Sequence, residues 1–195
     1  METNLMSFFP DVQLVNVSEM LKTNGLKCLV GGAVPLWSSD IPTLDPSGCS
    51  IFVYNYSTTG NVGCLRMPAT NLCRIILLDK QGHKVKKTAL GMMYGWPLSQ
   101  EQIEDWRHHW HNSHQRMLVS INAMGSPKPY YDAIEMCHFS LKDAFEIKKA
   151  GEYELHVQLR LIQVGKDSSG KIYYPVTWLP EVVAKIHIRP EDIAE

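Results

Sequence analysis

The clearest periodicity in the chain lies towards its C-terminal end. Tyr153, Leu155, Val157, Leu159 and Leu161 alternate with Glu154, His156, Gln158 and Arg160. A sustained period of two predicts a strand with one dry and one wet face. The polar, glycine-bounded segment GKDSSGK follows as a loop, and IYYPVTW resumes β-formers. Pro175 and Pro180 withhold ladder donors, so this return is expected at an edge or broken by a bulge. Val182, Ala184, Ile186 and Ile188 then alternate with Val183, Lys185 and His187, which predicts a final strand.

Upstream, extended pieces are expected over residues 134–139 and 144–147, and the KKAG turn leads into the Tyr153 strand. SIFVYNYS is a β-rich run closed by the turn residues TTGN. RIILLDKQGHKVKKTAL predicts a hairpin that turns between Asp79 and Gly82. Nearer the start, DVQLVNV and LKCLVGGAVPLW are candidate strands, followed by irregular chain up to Pro46. Many short strands separated by turn signals point to an antiparallel β-sandwich rather than a βαβ fold. A chain of 195 residues favours a single domain over 1–195. Residues 91–133 interrupt the strand pattern and are expected to form a helical and loop insert.

The stretch AFEIKKAGEYELHVQLRL resembles the part of immunoglobulin-like and fibronectin-like sandwiches where a glycine precedes a corner tyrosine. Gly151 and Tyr153 carry the likeness, and Leu155 stands where antibody-type domains place a cysteine. Together with IFVYNYS and RIILLDKQGHKVKKTALG, it is similar to uncharacterised bacterial immunoglobulin-like modules. The likeness covers roughly residues 50–90 and 134–188. It implies a mostly β, immunoglobulin-like antiparallel β-sandwich in which the Tyr153 hydroxyl ties its strand to backbone upstream. Secreted or periplasmic placement is also implied by the resemblance alone. The missing cysteine and the long insert depart from the antibody pattern, so no antigen-receptor role is implied.

The insert carries the densest chemistry: DWRHHWHNSHQRM holds four histidines and two tryptophans. Ser99 and Gln102 are spaced as a capping box, with Leu98 and Ile103 at the positions of a hydrophobic staple. Acidic Glu101, Glu104 and Asp105 come first and the basic residues later, as the helix dipole favours. A helix is therefore expected from about Gln100 to about Met117. At about 100° per residue, Ile103, Trp106, Trp110 and Met117 share one stripe, which is expected to pack on the sandwich. Glu104, His108 and His111 project together from the opposite face. Imidazole nitrogen and carboxylate oxygen at this spacing suit a zinc ion, so these three are the candidate metal ligands. No second ligand-bearing element or HExxH pattern accompanies them. The helix is read first as a docking element.

Other motifs add less. SGCS is not a nucleophile elbow, the glycine pairs do not form a phosphate loop, and no carboxylate pair has a recognisable spacing. Cys137 and His138 are neighbours in a predicted strand, so they face opposite ways and cannot pair as a dyad. GMMYGWPL clusters methionines with Tyr94 and Trp96, and is expected to seal the seam between helix and sandwich; exposed, it would be a recognition patch. Tyr130 and Tyr131 in SPKPYYD are placed to stack on a sugar or peptide.

Charge and cysteines narrow the classes. A net charge of −1 with scattered basic residues gives no reason to expect nucleic acid. No apolar run approaches the roughly 18 residues of a membrane span, and no signal peptide is read at the start. Cys28, Cys49, Cys64, Cys73 and Cys137 are odd in number and lack CxxC spacing, which favours buried thiols and leaves room for one bridge. The expectation is a non-catalytic module with no catalytic residues and no cofactor. It binds a protein or a glycan through Trp96, Tyr130 and Tyr131. The competing readings are a metal-assisted hydrolase using Glu104, His108 and His111, and a structural subunit forming oligomers through an exposed edge strand.

Overall fold

The computed structural model describes residues 26–32, 48–55, 62–111, 118–121 and 134–193. Strands predominate and every strand pairing is antiparallel. One sheet runs β1 (Leu26–Gly32), β2 (Cys49–Asn55), β6 (Ile134–Phe139), with β2 in the middle. The other is organised around β7 (Gly151–Ile162), the long alternating segment. On one side of β7 lies β4 (Cys73–Asp79), with Leu77 opposite Leu155. On the other side lie β10 (Val176–Trp178) and β11 (Val182–Ile188), with Ala184 opposite Leu155. The ladder breaks at Leu179-Pro180-Glu181, the interruption that Pro180 demands. Two small ribbons complete the set among the described residues. β3 (Val62–Leu65) pairs with β5 (Leu118–Ile121), and β8 (Gly165–Lys166) pairs with β9 (Ile172–Tyr173).

The dry face of β7 carries Tyr153, Leu155, Val157, Leu159 and Leu161, all buried. These join Ile51 and Val53 of β2, Ile75 and Leu77 of β4, and Ala184 and Ile186 of β11 in one core. One contact between the sheets is that of Cys73 of β4 with Cys137 of β6, with Sγ–Sγ 3.4 Å. Burial of such side chains supplies the main favourable term in folding. In β6 the neighbours Met136 and Cys137 are both buried, which strict alternation forbids. A register shift explains it: Ile51 lies opposite Cys137 but Phe52 opposite Glu135, so Met136 is the extra residue of a bulge. His138 faces out, as expected beside a buried Cys137.

At the entry to β7, Tyr153 Oη donates to the Lys149 carbonyl at 2.7 Å. The bond fixes the corner that the sequence suggested. The hairpin after β4 turns at Asp79, whose carboxylate accepts from the backbone of Gln81 and His83, and Gly82 supplies a φ of 80°. Its second arm is not a strand. It contributes one bridge, Leu78 to Lys84, and a bond from Val85 N to Leu77 O. The extended piece expected over 144–147 is corrected in part: Leu141–Ala144 is a short helix capped by Ser140, and Phe145 makes a single bridge to Lys87. The insert also holds more than helix and loop, because β5 returns from it to pair with β3. Among the described residues, no helix is long and apolar enough to cross a membrane.

Candidate binding surface

The segment between β4 and the long helix departs from the expected seal. Tyr94 is buried and meets the Phe139 ring edge-on at 5.5 Å, so this one residue does close the seam. Its neighbours do not. Trp96 is 66% exposed, Met92 61%, Met93 51% and Leu90 43%, more surface than a sealing role allows. Large apolar side chains grouped in sequence are left uncovered mainly where something binds.

These side chains stand on a backbone fixed from below. The turn Ala89–Met92 starts at Thr88, whose Oγ1 accepts from Gly91 N at 3.0 Å and donates to the Asp143 carbonyl. Gly91 lies so close to the helix Leu141–Ala144 that a Cβ there would fall 1.8 Å from the Ala144 oxygen. Gly95 takes a φ of 81° and donates its N–H to Thr70 O at 3.1 Å. A Cβ on Gly95 would also meet Arg74 Cγ at 2.4 Å, so glycine is required twice over.

Arg160 completes the anchorage. It sits on the face of β7 expected to be wet, yet it is 4% exposed, and Ile162 beyond it on the same face is fully buried. That end of the outer face is therefore covered. Arg160 Nη2 donates to the Trp96 carbonyl at 2.8 Å, and Nε donates to the Asn71 carbonyl. Its guanidinium lies 5.3 Å from the Trp178 ring centroid, and that of Arg74 lies 4.1 Å from the same ring. Burial and the Arg74 charge lower the Arg160 pKa from its ordinary value, but an arginine starts so high that it keeps its charge. Strand periodicity had placed Arg160 in solvent; no pattern in β7 itself marks it as an anchor.

After Pro97 the helix Gln100–His111 begins. Both halves of the predicted capping box form: Gln102 N donates to Ser99 Oγ at 3.1 Å, and Ser99 N to Gln102 Oε1 at 2.9 Å. Ile103 is fully buried and Trp106 packs partly buried against the core, so the predicted stripe docks over its described part. The expected extension from 112 to Met117, with the side chain of Trp110, lies outside the described residues. Gln100 clamps Tyr174 by two bonds, Nε2 to O at 2.8 Å and Oε1 from N at 2.7 Å.

Of the three candidate metal ligands, Glu104 and His108 come together at 2.9 Å. The side chain of His111 is not among those described. Glu104 is already engaged by the Tyr174 hydroxyl on one oxygen and by Arg107 at 2.9 Å on the other. The Tyr174 hydrogen bond, then Arg107 and His108, hold its carboxyl below the ordinary glutamate range. Among the described residues, no three His, Cys, Asp or Glu side chains are grouped to hold a metal ion. On the outer face of β7, His156 contacts Glu181 through Nδ1, with Glu154 3.9 Å from Nε2. Of the three residues expected to bind, Trp96 is exposed, while Tyr130 and Tyr131 lie outside the described residues. Comparison with protein-family models, with curated proteins and with solved structures gave no match.

Proposed function

We propose that this chain is a non-catalytic, single-domain immunoglobulin-like β-sandwich that binds another protein through a rigid platform centred on Trp96. One observation carries the reading: Trp96, Met92, Met93 and Leu90 are exposed on a backbone held by Arg160, Gly91 and Gly95. Exposed apolar side chains on a fixed backbone lose little freedom on binding, which lowers the cost of association. Methionine and tryptophan are enriched in protein interfaces, and methionine adapts to irregular partners. Tyr130 and Tyr131 remain further binding residues in this proposal. The corner bond from Tyr153 to Lys149 supports the immunoglobulin-like reading.

A glycan partner has less support, because Met92 and Met93 offer no flat face to a sugar. The metal-assisted hydrolase is disfavoured by Arg107, whose cation occupies the carboxylate that Glu104 would give to a metal. Assembly through β4 is opposed by Lys84 and Val85, which already use part of its outer edge.

The test compares wild-type chain with Trp96→Ala and with Met92→Ala/Met93→Ala. Proteins retained by immobilised wild type are identified, purified and titrated against each variant by calorimetry. A central anchor residue predicts binding roughly 30-fold weaker or worse for Trp96→Ala, at an unchanged melting temperature. Equal affinity of wild type and both variants would refute the platform. Retention of glycans in place of proteins on an array, abolished by Trp96→Ala, would move the reading to a lectin-like role.

A further inference from the structure

We propose that Cys73 and Cys137 form a redox-sensitive pair that closes into a disulfide joining the two main sheets. Cys73 opens β4 and Cys137 lies in β6, 64 positions later, and their sulfurs are in contact at 3.4 Å inside the core. Bond formation requires an approach of about 1.4 Å from there. The two cysteines sit on outer strands of their sheets but are buried, so the bond would link the sheets inside the core.

The other cysteines are placed differently. Cys64 points at Met136, Sγ to Sδ 4.0 Å, and burial pushes its thiol up to about 12, which disfavours the reactive thiolate. Cys49 lies in β2 opposite Phe139, two residues along from the partner of Cys137, and is the competitor to be tested.

The chemistry is thiol–disulfide exchange with a small disulfide such as oxidised glutathione. One protein thiolate attacks a glutathione sulfur and releases one glutathione thiolate. The second protein thiolate attacks the mixed disulfide, forms the Cys73–Cys137 bond and releases the second. Two protein thiols are oxidised, and one glutathione disulfide is reduced to two thiols that take up the two protons. Both sulfurs are buried, so exchange occurs as the chain folds or opens, in a compartment that supplies an oxidant.

Closure would bear on the Trp96 platform. The Tyr94 ring meets Phe139, two residues along β6 from Cys137, so Tyr94 lies near the pair. A bond there would stiffen the floor beneath Met93 and Trp96.

Reduced, denatured chain is refolded in a glutathione redox buffer, quenched in acid, alkylated under denaturing conditions and mapped by mass spectrometry without reduction. The expected product is two hydrogens lighter, with the Cys73 and Cys137 peptides joined and Cys28, Cys49 and Cys64 alkylated. Its melting temperature should exceed that of the reduced chain by about 5–15 °C, and dithiothreitol should abolish the difference. Cys137→Ala should lose the mass change, and Cys64→Ala should keep it. A bridge to Cys49, a persistent glutathione adduct or five alkylated cysteines in folded wild type would overturn the proposal. The wild-type map decides even where a variant fails to fold.

Discussion

The guanidinium of Arg160 and the carbonyl of Trp96 are hydrogen-bonded at 2.8 Å, so a buried charge holds the backbone beneath a widely exposed ring. Arg160→Ala would leave the carbonyls of Trp96 and Asn71 without this donor and empty the space under Trp178. The expected loss is about 2–4 kcal/mol in urea unfolding. Arg160→Lys, which keeps the charge but not the fork, should recover only part of it. Full stability in both variants would show that the loop is held by other contacts.

Gly91→Ala tests the neighbouring anchor. The added methyl would overlap the Ala144 oxygen, and backbone on both sides leaves no flexible group to yield. A loss of about 2–4 kcal/mol is expected, read as a lower denaturation midpoint. Gly82→Ala is the control: it meets nothing within 4 Å, so its cost comes from the positive φ alone.

Tyr153→Phe removes one hydroxyl from the corner and leaves the ring buried. The lost bond to Lys149 should cost about 1 kcal/mol, and the Lys149 carbonyl can turn to water because that residue is exposed. Hydrogen exchange should quicken at the first residues of β7 before it does so at Leu159. Uniform exchange along the strand would argue against a local clamp.

The pair Tyr174 and Glu104 predicts a pH dependence. The folded state holds the Glu104 pKa below its ordinary value, chiefly through the Tyr174 hydroxyl. A lowered carboxyl pKa adds stability that is fully present above the ordinary glutamate range and is lost as pH falls through the lowered value. Tyr174 itself is pushed up to about 12 and stays a neutral donor throughout that window. The stability gap between wild type and Tyr174→Phe should therefore be wider at neutral pH than in acid, measured by urea titration at each pH. A gap independent of pH would mean the bond contributes nothing through ionisation.

Much of the β framework was legible because strands advertise themselves by alternation. β7 and β11 fall on the segments that periodicity marked, β6 falls on an expected extended piece, and the break before β11 falls at Pro180. The helix start was readable because Ser99 and Gln102 are a local, reciprocal pair. What local pattern could not show was tertiary. Arg160 looks like any outward residue until the Trp96 loop lies over it, and β5 is too short for its period to stand out. The platform was half legible: the composition of Gly91 to Leu98 marked it, but which side chains turn outward depends on Gly91 and Gly95 fitting against other elements. Glu104 and His108 were correctly brought together by helical spacing, whereas the Tyr174 hydroxyl that takes the carboxylate comes from a distant segment.

The position of β7 between β4 and β11 has a consequence during synthesis. Its second flank is translated only after β7 itself, so a chain ending before Val182 would leave the β7 amides that face β11 over Gly151–Val157 unsatisfied beside an apolar face. Such an intermediate is sticky. A premature stop there should yield inclusion bodies rather than a truncated, functional fragment.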